Sequence, residues 1–408
     1  MKINFEVVST VISQNCKNRS GTGLLFVTFL LAAISGCQPD ASTPAFADGS
    51  ETPNMSVAPD GRIILSWTEP TEDGHALRFA FHDGTSWSET MTAATGKGWF
   101  VNWADFPSVI ALPNGDLAAH WLEREGPDTY AYGIRIVRST DGGKSWEDPV
   151  IPHRDGTLTE HGFVSLYAVG DADLGAVWLD GRRMLDDGPM TLRSAIVARD
   201  GSLRNENELD GKACDCCQTG VAVTHGNPVV VYRDRGDDET RDVSVVRVTG
   251  DEWTVPVPLY EDNWTIAACP VNGPAITTAD NAVAVAWFTA AKDEAQVNVA
   301  FSNDDGATFE PPIRIDHGLP LGRVHIVGLA GGDVLVSWLE DTESTTAILL
   351  KRVSPAGAVS DAVTVAATDS ARASGFPRMA VREDDVLLAW TDPEPPGRVR
   401  LRAVQIPH

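Results

Sequence analysis

Basic residues are scarce in this chain of 408 residues, where 32 Lys and Arg stand against 57 Asp and Glu and give a formal net charge of −25. This deficit of positive charge excludes general nucleic-acid binding, which needs a basic surface. Long apolar runs are lacking beyond residue 36, so the body of the chain is not a membrane channel built from spanning helices. The 36 glycines and 25 prolines are spread along the chain, and this distribution favours many short strands joined by turns.

The N-terminal segment has the pattern of an export signal. Basic side chains precede an apolar run at residues 24–34, which is too short to cross a bilayer and has the length of a signal-peptide core. The run ends in Ile34-Ser35-Gly36-Cys37. These four residues resemble the bacterial lipobox, whose cysteine becomes the lipidated first residue of the mature protein.

The lipobox resemblance implies a location and a domain boundary. It implies that residues 1–36 are a removable signal peptide and that Cys37 carries lipid. Gln38 stands where an inner-membrane retention signal would have Asp, so a lipid anchor in the bacterial cell envelope is expected, with the outer membrane favoured. Residues 37–53 are rich in small and polar residues and are expected to form a flexible tether.

Seven short apolar strands that end in an aromatic residue recur along the remaining chain, at intervals of 51 to 57 residues. This period is typical of propeller blades, each a four-stranded antiparallel sheet that stacks on its neighbours. Residues 54–408 are therefore predicted to form a single all-β domain, a β-propeller with seven blades favoured and six as the alternative. The repeated aromatic residues are Trp67, Trp121, Trp178, Tyr232, Trp287, Trp338 and Trp390.

Two eight-residue segments share a turn motif, at residues 139–146 and 302–309. Both resemble the Asp box (BNR repeat) of sialidase-like β-propellers, so the chain is identified as a sialidase-like propeller lipoprotein. The motif residues are expected to be structural, because Ser and Asp cap the turn, Gly supplies the bend and the aromatic residue packs beneath it. They are Ser139, Asp141, Gly143, Trp146, Ser302, Asp304, Gly306 and Phe309.

The loops that lead into the first strand of each blade, here called the lead-in loops, gather with the loops after the second strands at one end of the central channel. We call this end the mouth. A sialidase needs several Arg side chains to hold a carboxylate, and a glycosidase needs two carboxyl groups. The candidate catalytic residues in these loops are Arg182, Arg233, Asp234, Arg235, Arg323, Arg378, Asp180 and Glu340.

Other features of these loops leave the activity open. Asp105 and Glu123 are further acids that could serve a glycosidase, and Trp99, Trp103 and Trp264 could stack on sugar rings. The late Tyr nucleophile and the early Arg motif of sialidases have no match, since the last of the 5 tyrosines is Tyr260.

Four cysteines remain after removal of the signal peptide and lipidation of Cys37. Cys214, Cys216 and Cys217 lie in one lead-in loop and Cys269 lies in the next, so all four are expected to meet beside the mouth. Two disulfides suit an exported protein, a thiolate site would bind zinc or copper, and a redox-active or reactive thiol is the third alternative.

The preferred hypothesis is a sialidase-like envelope lipoprotein that binds or hydrolyses a carbohydrate or another small anionic ligand at the mouth. The alternatives are a non-enzymatic propeller that serves as a scaffold or binding protein, and a metal or redox protein centred on the cysteines. Clustered Arg side chains with two close carboxylates at the mouth would favour the enzyme. A plugged or flat mouth would favour the scaffold.

Overall fold

The computed structural model of the protein describes residues 43–407, apart from Asn281, Glu383 and the side chain of Arg382. The predicted signal peptide and Cys37 lie outside these residues. Nearly all regular structure is antiparallel strand, and short 3₁₀ turns occur at Arg182–Asp186, Ala291–Asp293 and Arg372–Ser374. None of the helices in the described part of the chain has the length and apolar character of a membrane span.

The strands form seven consecutive sheets, the blades, in which strands that follow one another in the chain are paired. Blade 1 contains β1 (Glu51–Val57), β2 (Ile63–Thr71), β3 (Gly74–His82) and β4 (Met91–Gly96). Blade 2 contains β5 (Ser108–Ala111), β6 (Leu117–Arg124) and β7 (Tyr132–Ser139). Blade 3 contains β8 (His161–Val169), β9 (Asp173–Asp180), β10 (Thr191–Val197) and β11 (Leu203–Asp210).

The remaining blades repeat the same order. Blade 4 contains β12 (Gly220–Thr224), β13 (Asn227–Arg233), β14 (Val243–Thr249), β15 (Glu252–Trp253) and β16 (Val257–Pro258). Blade 5 contains β17 (Ala275–Ala279), β18 (Ala282–Thr289), β19 (Gln296–Ser302) and β20 (Ile313–Arg314). Blade 6 contains β21 (Pro320–Gly328), β22 (Val334–Asp341), β23 (Thr346–Val353) and β24 (Val363–Thr368). Blade 7 contains β25 (Arg378–Arg382), β26 (Asp385–Asp392) and β27 (Arg398–Gln405).

The first strands of the seven blades contact one another in sequence and close into a ring, with β25 against β1. The prediction of a seven-bladed propeller is therefore confirmed, and the six-blade alternative is wrong. Every repeated aromatic residue lies on the second strand of its blade and is buried. β1 begins at Glu51, so the segment predicted as tether runs into the first blade.

The hydrophobic core is divided among the junctions between blades. Buried side chains of the described residues form seven clusters, each contributed mainly by two neighbouring blades. Strands inside a blade are therefore covered on both faces, and β18 is buried at every position. This two-sided burial explains why the second strands are continuous apolar runs rather than alternating ones.

The ring closes between its first and last blades. Gly49 N–H donates to Gly397 O (2.7 Å), and Val399 N–H donates to the Ser50 hydroxyl (3.0 Å). Thr52 N–H also donates to the Thr391 hydroxyl, 3.2 Å away. These contacts join β1 and the segment before it to blade 7, and they close the ring.

The turns at 139–146 and 302–309 have the same hydrogen-bond pattern. The Ser139 hydroxyl donates to Asp141 (2.9 Å) and accepts from Gly143 N–H (2.8 Å), and Ser302 does the same with Asp304 (2.8 Å) and Gly306 (2.9 Å). A side chain at Gly143 would lie 2.5 Å from Phe79 of the preceding blade. The motif therefore shapes the turn and seats it against the neighbouring blade, as the resemblance implied.

Candidate functional site

Gln218 links three lead-in loops at the mouth. Its Nε2 donates to Ala104 O (2.6 Å), and its Oε1 accepts from Gly273 N–H (3.0 Å). The loops of Gln218 and Ala104 lead into blades 4 and 2, which are not neighbours, so this contact crosses the channel. A cavity of about 240 Å³ lies in the channel, lined by the starts of the first strands.

Three aromatic residues, called here the aromatic plug, pack across the same end of the channel. Trp103 stacks on Phe376 with ring centroids 5.7 Å apart, and Phe106 lies 5.8 Å from Phe376. The guanidinium of Arg323 lies 4.9 Å from the Trp103 ring, and that of Arg378 lies 4.1 Å from the Phe106 ring. Trp103 and Phe376 belong to loops of blades 2 and 7, so the plug also crosses the channel.

The predicted anion-binding arginines do not converge on a common site. Arg182 pairs with Asp180 (2.7 Å), and Arg235 pairs with Asp215 (3.2 Å) and Glu239 (2.9 Å). Salt bridges therefore already occupy both guanidinium groups.

Two of the other predicted arginines, Arg233 and Arg323, are buried, and the third, Arg378, is half-buried and lines the cavity in the channel. Arg233 is 1% exposed and donates to three backbone carbonyl oxygens, and Arg323 does the same. Burial lowers the pKa of Arg378 to about 9. The expected cluster of arginines around a ligand carboxylate is absent from the described residues, because four of the five side chains are engaged with acids or backbone carbonyls.

Asp180 and Glu340 also have a structural place that the sequence did not reveal. In each case the aromatic residue two positions earlier donates its indole N–H to the carboxylate, from Trp178 to Asp180 (2.8 Å) and from Trp338 to Glu340 (2.6 Å). Both carboxylates are buried. Trp67 and Glu69 repeat the arrangement in blade 1 at 2.8 Å. The acids at these strand ends therefore satisfy buried indoles, and this placement does not support a catalytic role.

Asp234 lies in a small acidic group at the end of β13. Its carboxylate accepts hydrogen bonds from the Ser244 hydroxyl (2.9 Å) and from Arg235 N–H (2.6 Å). Burial and the neighbouring charge of Asp210 raise the pKa of Asp234 to about 6. The Tyr232 hydroxyl donates to Asp210, so Tyr232 combines its core position with a polar contact.

A group that we call the acid–tyrosine cluster lies at the lead-in loops of blades 2 and 3. The Tyr132 hydroxyl is 2.9 Å from Asp105 Oδ2 and 2.7 Å from Glu160 Oε1. Asp105 is 2% exposed and also accepts a hydrogen bond from Phe163 N–H (2.8 Å), whereas Glu160 is half-buried. A hydroxyl has one proton, so when it donates to one carboxylate, the other carboxyl must hold a proton to complete the network.

The electrostatics of the acid–tyrosine cluster agree with that requirement. Burial raises the pKa of Asp105 to about 7, although the hydrogen bonds from Phe163 and Tyr132 oppose the change. Burial, together with the charges of Asp105 and Asp215, raises the pKa of Glu160 to about 8. The Tyr132 pKa is raised well above 10 by burial and by the two carboxylates, so the phenol stays protonated near neutral pH.

Sequence reasoning considered Asp105 but missed Glu160 and Tyr132 as site residues. Tyr132 begins the third strand of its blade, directly after the loop that follows the second strand, so topology places it at the mouth, but no motif marked it as a site residue. The one sequence signal for Glu160 is its place directly before β8. The three tryptophans expected to stack on sugars are occupied otherwise, since Trp99 and Trp264 are buried and Trp103 belongs to the aromatic plug.

The four cysteines lie together beside the mouth. Cys216 and Cys269 form a disulfide with Cα atoms 6.1 Å apart, and Cys269 is exposed. Cys214 and Cys217 are buried free thiols whose sulfurs are 2.7 Å apart, and Cys214 Sγ lies 4.0 Å from Cys216 Sγ. Burial opposes ionisation of Cys214, but the Cys217 thiol, the Cys216 N–H and two arginines lower its pKa to about 7.

A second group with metal-ligand types consists of Asp155, His161 and Asp180, whose ligand atoms all lie within 4.8 Å of one another. Arg182 already pairs with both carboxylates, at 3.3 Å from Asp155 and 2.7 Å from Asp180. The guanidinium supplies the positive charge that a metal ion would bring, so this group is accounted for as a buried ion-pair network.

No protein-family model matches the chain, and no curated protein sequence matches it. Solved structures do resemble it. An ulvan lyase from a new family of polysaccharide lyases has a TM-score of 0.56 at 11% identity, with 89% of this chain and 97% of that chain covered. The polysaccharide lyase Uly1 has a TM-score of 0.53 at 9% identity, with 92% and 94% covered.

A sialidase is also among the similar structures. The Hadza microbial sialidase Hz136 has a TM-score of 0.50 at 13% identity, with 82% of this chain and 74% of that chain covered. At these identities the likeness shows the fold alone. The expected sialidase-like propeller is thus confirmed as a fold, and the chain shares it with several carbohydrate-active enzymes.

Proposed function

We propose that this protein is a lipid-anchored protein of the bacterial cell envelope that binds a carbohydrate at the mouth and cleaves its glycosidic bond with Glu160 as general acid. The observation that carries the proposal is the acid–tyrosine cluster, which keeps a half-buried carboxyl protonated near neutral pH. Carbohydrate chemistry is favoured because the similar structures include a sialidase and polysaccharide lyases.

Glu160 has the properties that proton donation to a leaving oxygen requires. A pKa of about 8 leaves its carboxyl protonated at pH 7, and a general acid works best when its pKa lies near the working pH. Tyr132 and the buried Asp105 position this carboxyl and do not contact substrate. Asp215, whose charge acts on Glu160 from the lead-in loop of blade 4, takes the place of the second carboxylate that glycoside hydrolysis needs.

The ligand that fits this site is an uncharged sugar rather than an anionic one. Four of the five arginines expected to hold a carboxylate are engaged with acids or with backbone carbonyls, whereas Arg378 lines the cavity in the channel. The acids Asp105 and Asp215 act on Glu160 and disfavour a negatively charged sugar, although Arg235 pairs with Asp215 at 3.2 Å.

Replacing Glu160 with glutamine should lower kcat/KM by roughly 100-fold on glycosides with poor leaving groups, because the proton donor is lost. Dinitrophenyl glycosides should be far less affected, since their leaving group needs no proton. The measurement is a screen of aryl glycosides and oligosaccharides that includes a sialoside, followed by kinetics on the best substrate. Glu261→Gln, an exposed carboxylate in a nearby lead-in loop, is the matched control. Equal losses on both leaving-group classes would contradict the assigned role.

A non-enzymatic binding protein or scaffold is the second candidate, and the aromatic plug favours it. The plug and Gln218 tie loops across the channel, and the cavity of about 240 Å³ there is smaller than the roughly 300–1,000 Å³ of common ligand pockets. Carbohydrate binding without turnover in the same screen, unchanged by Glu160→Gln, would support this candidate over the hydrolase.

Lipid anchoring at Cys37 is a proposal that rests on the lipobox resemblance. Replacing Cys37 with serine should move the protein from the membrane fraction to the soluble fraction, because several acyl chains hold a lipoprotein firmly in a bilayer. Fractionation with detection of radiolabelled palmitate measures both the location and the acylation. Membrane retention of the Cys37→Ser protein would contradict the anchor.

A further inference from the structure

We propose that Cys214, Cys216, Cys217 and Cys269 together bind one thiophilic metal ion, zinc or copper(I), through their thiolates. The site lies at the lead-in loops of blades 4 and 5, beside the mouth and separate from the acid–tyrosine cluster. It makes the protein a metal-binding propeller in addition to the function proposed above.

The first support is the arrangement of the sulfurs. Zinc–thiolate bonds of about 2.3 Å in a tetrahedral site place ligand sulfurs about 3.8 Å apart. Cys214 and Cys216 are at 4.0 Å, close to that spacing. Cys217 lies 2.7 Å from Cys214, so these two sulfurs have to separate by about 1 Å to reach that spacing. The sulfurs of Cys214, Cys216 and Cys217 all lie within 4.8 Å of one another, and Cys269 contacts Cys216 from the next loop, where it can supply the fourth ligand.

The second support is the charge around the sulfurs. Arg233 is buried and its guanidinium contacts only carbonyl oxygens and the Trp264 ring. Arg241 is 3% exposed, and its Nε and Nη1 have no hydrogen-bond partner among the described residues, while Nη2 donates to Glu239 (2.7 Å). Both guanidinium groups act electrostatically on Cys214.

Buried cations are costly unless a negative group compensates them. A zinc or copper(I) ion held by four thiolates is a negatively charged centre, and the two arginines are placed to balance it. Both arginines also have anionic neighbours among the side chains, since Asp262 acts electrostatically on Arg233 and Glu239 pairs with Arg241 at 2.7 Å. The positive charge of Arg233 and Arg241 therefore adds to what stabilises a negatively charged metal centre at these sulfurs.

The disulfide form and the metal form differ by two electrons. Reduction of the Cys216–Cys269 bond by a phosphine consumes one water and yields two thiols and one phosphine oxide. Metal binding then releases the thiol protons to solvent. Cys269 is exposed, so a reductant reaches this bond, whereas Cys214 and Cys217 are buried behind it.

The test uses the purified protein, reduced with a phosphine without oxygen and then freed of the phosphine. Zinc or copper(I) is added in separate arms, excess metal is removed, and the bound metal is measured by elemental mass spectrometry. We expect a metal-to-protein ratio near one in at least one arm. Cobalt(II) substitution should give the intense visible bands of a tetrahedral thiolate site.

Variants separate ligation from adventitious binding. Cys217→Ser and Cys269→Ser should reduce the metal-to-protein ratio to near zero, whereas Ala268→Ser, beside Cys269, should leave it unchanged. Circular dichroism checks the fold of each variant. The proposal is overturned if the reduced natural protein retains neither metal, or if both cysteine variants bind as much metal as Ala268→Ser does.

Discussion

Replacing Trp338 with alanine should lower the free energy of unfolding by about 3–5 kcal/mol, the cost of removing a buried indole from a close-packed core. Trp338 is fully buried in the cluster between blades 5 and 6. The substitution leaves a cavity at that junction and also removes the indole N–H that donates to the buried carboxylate of Glu340. A carboxylate that loses a buried donor adds to the destabilisation.

Two companion variants divide the effect of Trp338→Ala into its parts. Trp338→Phe keeps most of the ring and removes the donor, so we expect a loss of about 1–3 kcal/mol. Val255→Ala, at a side chain that is 76% exposed, should change the stability by less than about 0.5 kcal/mol. Urea titration followed by circular dichroism measures all three. Similar losses for Trp338→Ala and Val255→Ala would refute the structural role of the repeated aromatic residue.

The free energy of unfolding of the Asp105→Asn variant, compared with that of the natural protein, should increase by on the order of 2 kcal/mol between pH 5 and pH 8. The folded protein raises the pKa of Asp105 to about 7, whereas the unfolded chain has an ordinary carboxyl near ~4. As the pH rises between these values, the unfolded state loses a proton that the folded state keeps, so the carboxyl increasingly destabilises the fold. Asparagine cannot ionise and can preserve the hydrogen bonds to Phe163 and Tyr132.

The pH effect is isolated by comparing the variant with the natural protein at each pH. Burial also raises the pKa values of Asp234 and Asp262 to about 6 and lowers that of His153 to about 3, but these groups are common to both proteins. Denaturant titrations at four pH values give the difference, and the exposed Asp251→Asn serves as the control. A difference in stability that stays constant from pH 5 to pH 8 would show that Asp105 is ionised throughout.

The fold could be predicted from the sequence because its signal is local and repeated. Each second strand is buried on both faces between neighbouring blades, so it has to be a continuous apolar run, and its last residues present an indole or phenol. Trp178 on β9 and Trp287 on β18, for example, occupy equivalent positions on the second strands of blades 3 and 5. The spacing of such runs favoured seven blades over six without any knowledge of the loops.

The candidate site could not be predicted in the same way, because it depends on which atoms meet between loops. The sequence placed Arg233 and Arg323 near the mouth, but it could not show that their guanidinium groups donate hydrogen bonds to backbone carbonyls. The acid–tyrosine cluster joins three segments of the chain around one hydroxyl. By contrast, the nearness of Cys269 to Cys216 followed from topology alone, since successive lead-in loops are neighbours.

Closure of the ring also sets a limit on when this protein can finish folding. The hydrogen bond from Val399 to Ser50 joins residues 349 positions apart, so it cannot form until nearly the entire chain has been synthesised. Until then, one face of blade 1 stays uncovered, because blade 7, which packs against it, has not yet formed. Contacts of such long sequence separation slow folding and expose apolar strands to aggregation. Truncation within blade 7 would make that vulnerable state permanent, whereas the same number of residues removed before Thr43 leaves all seven blades intact.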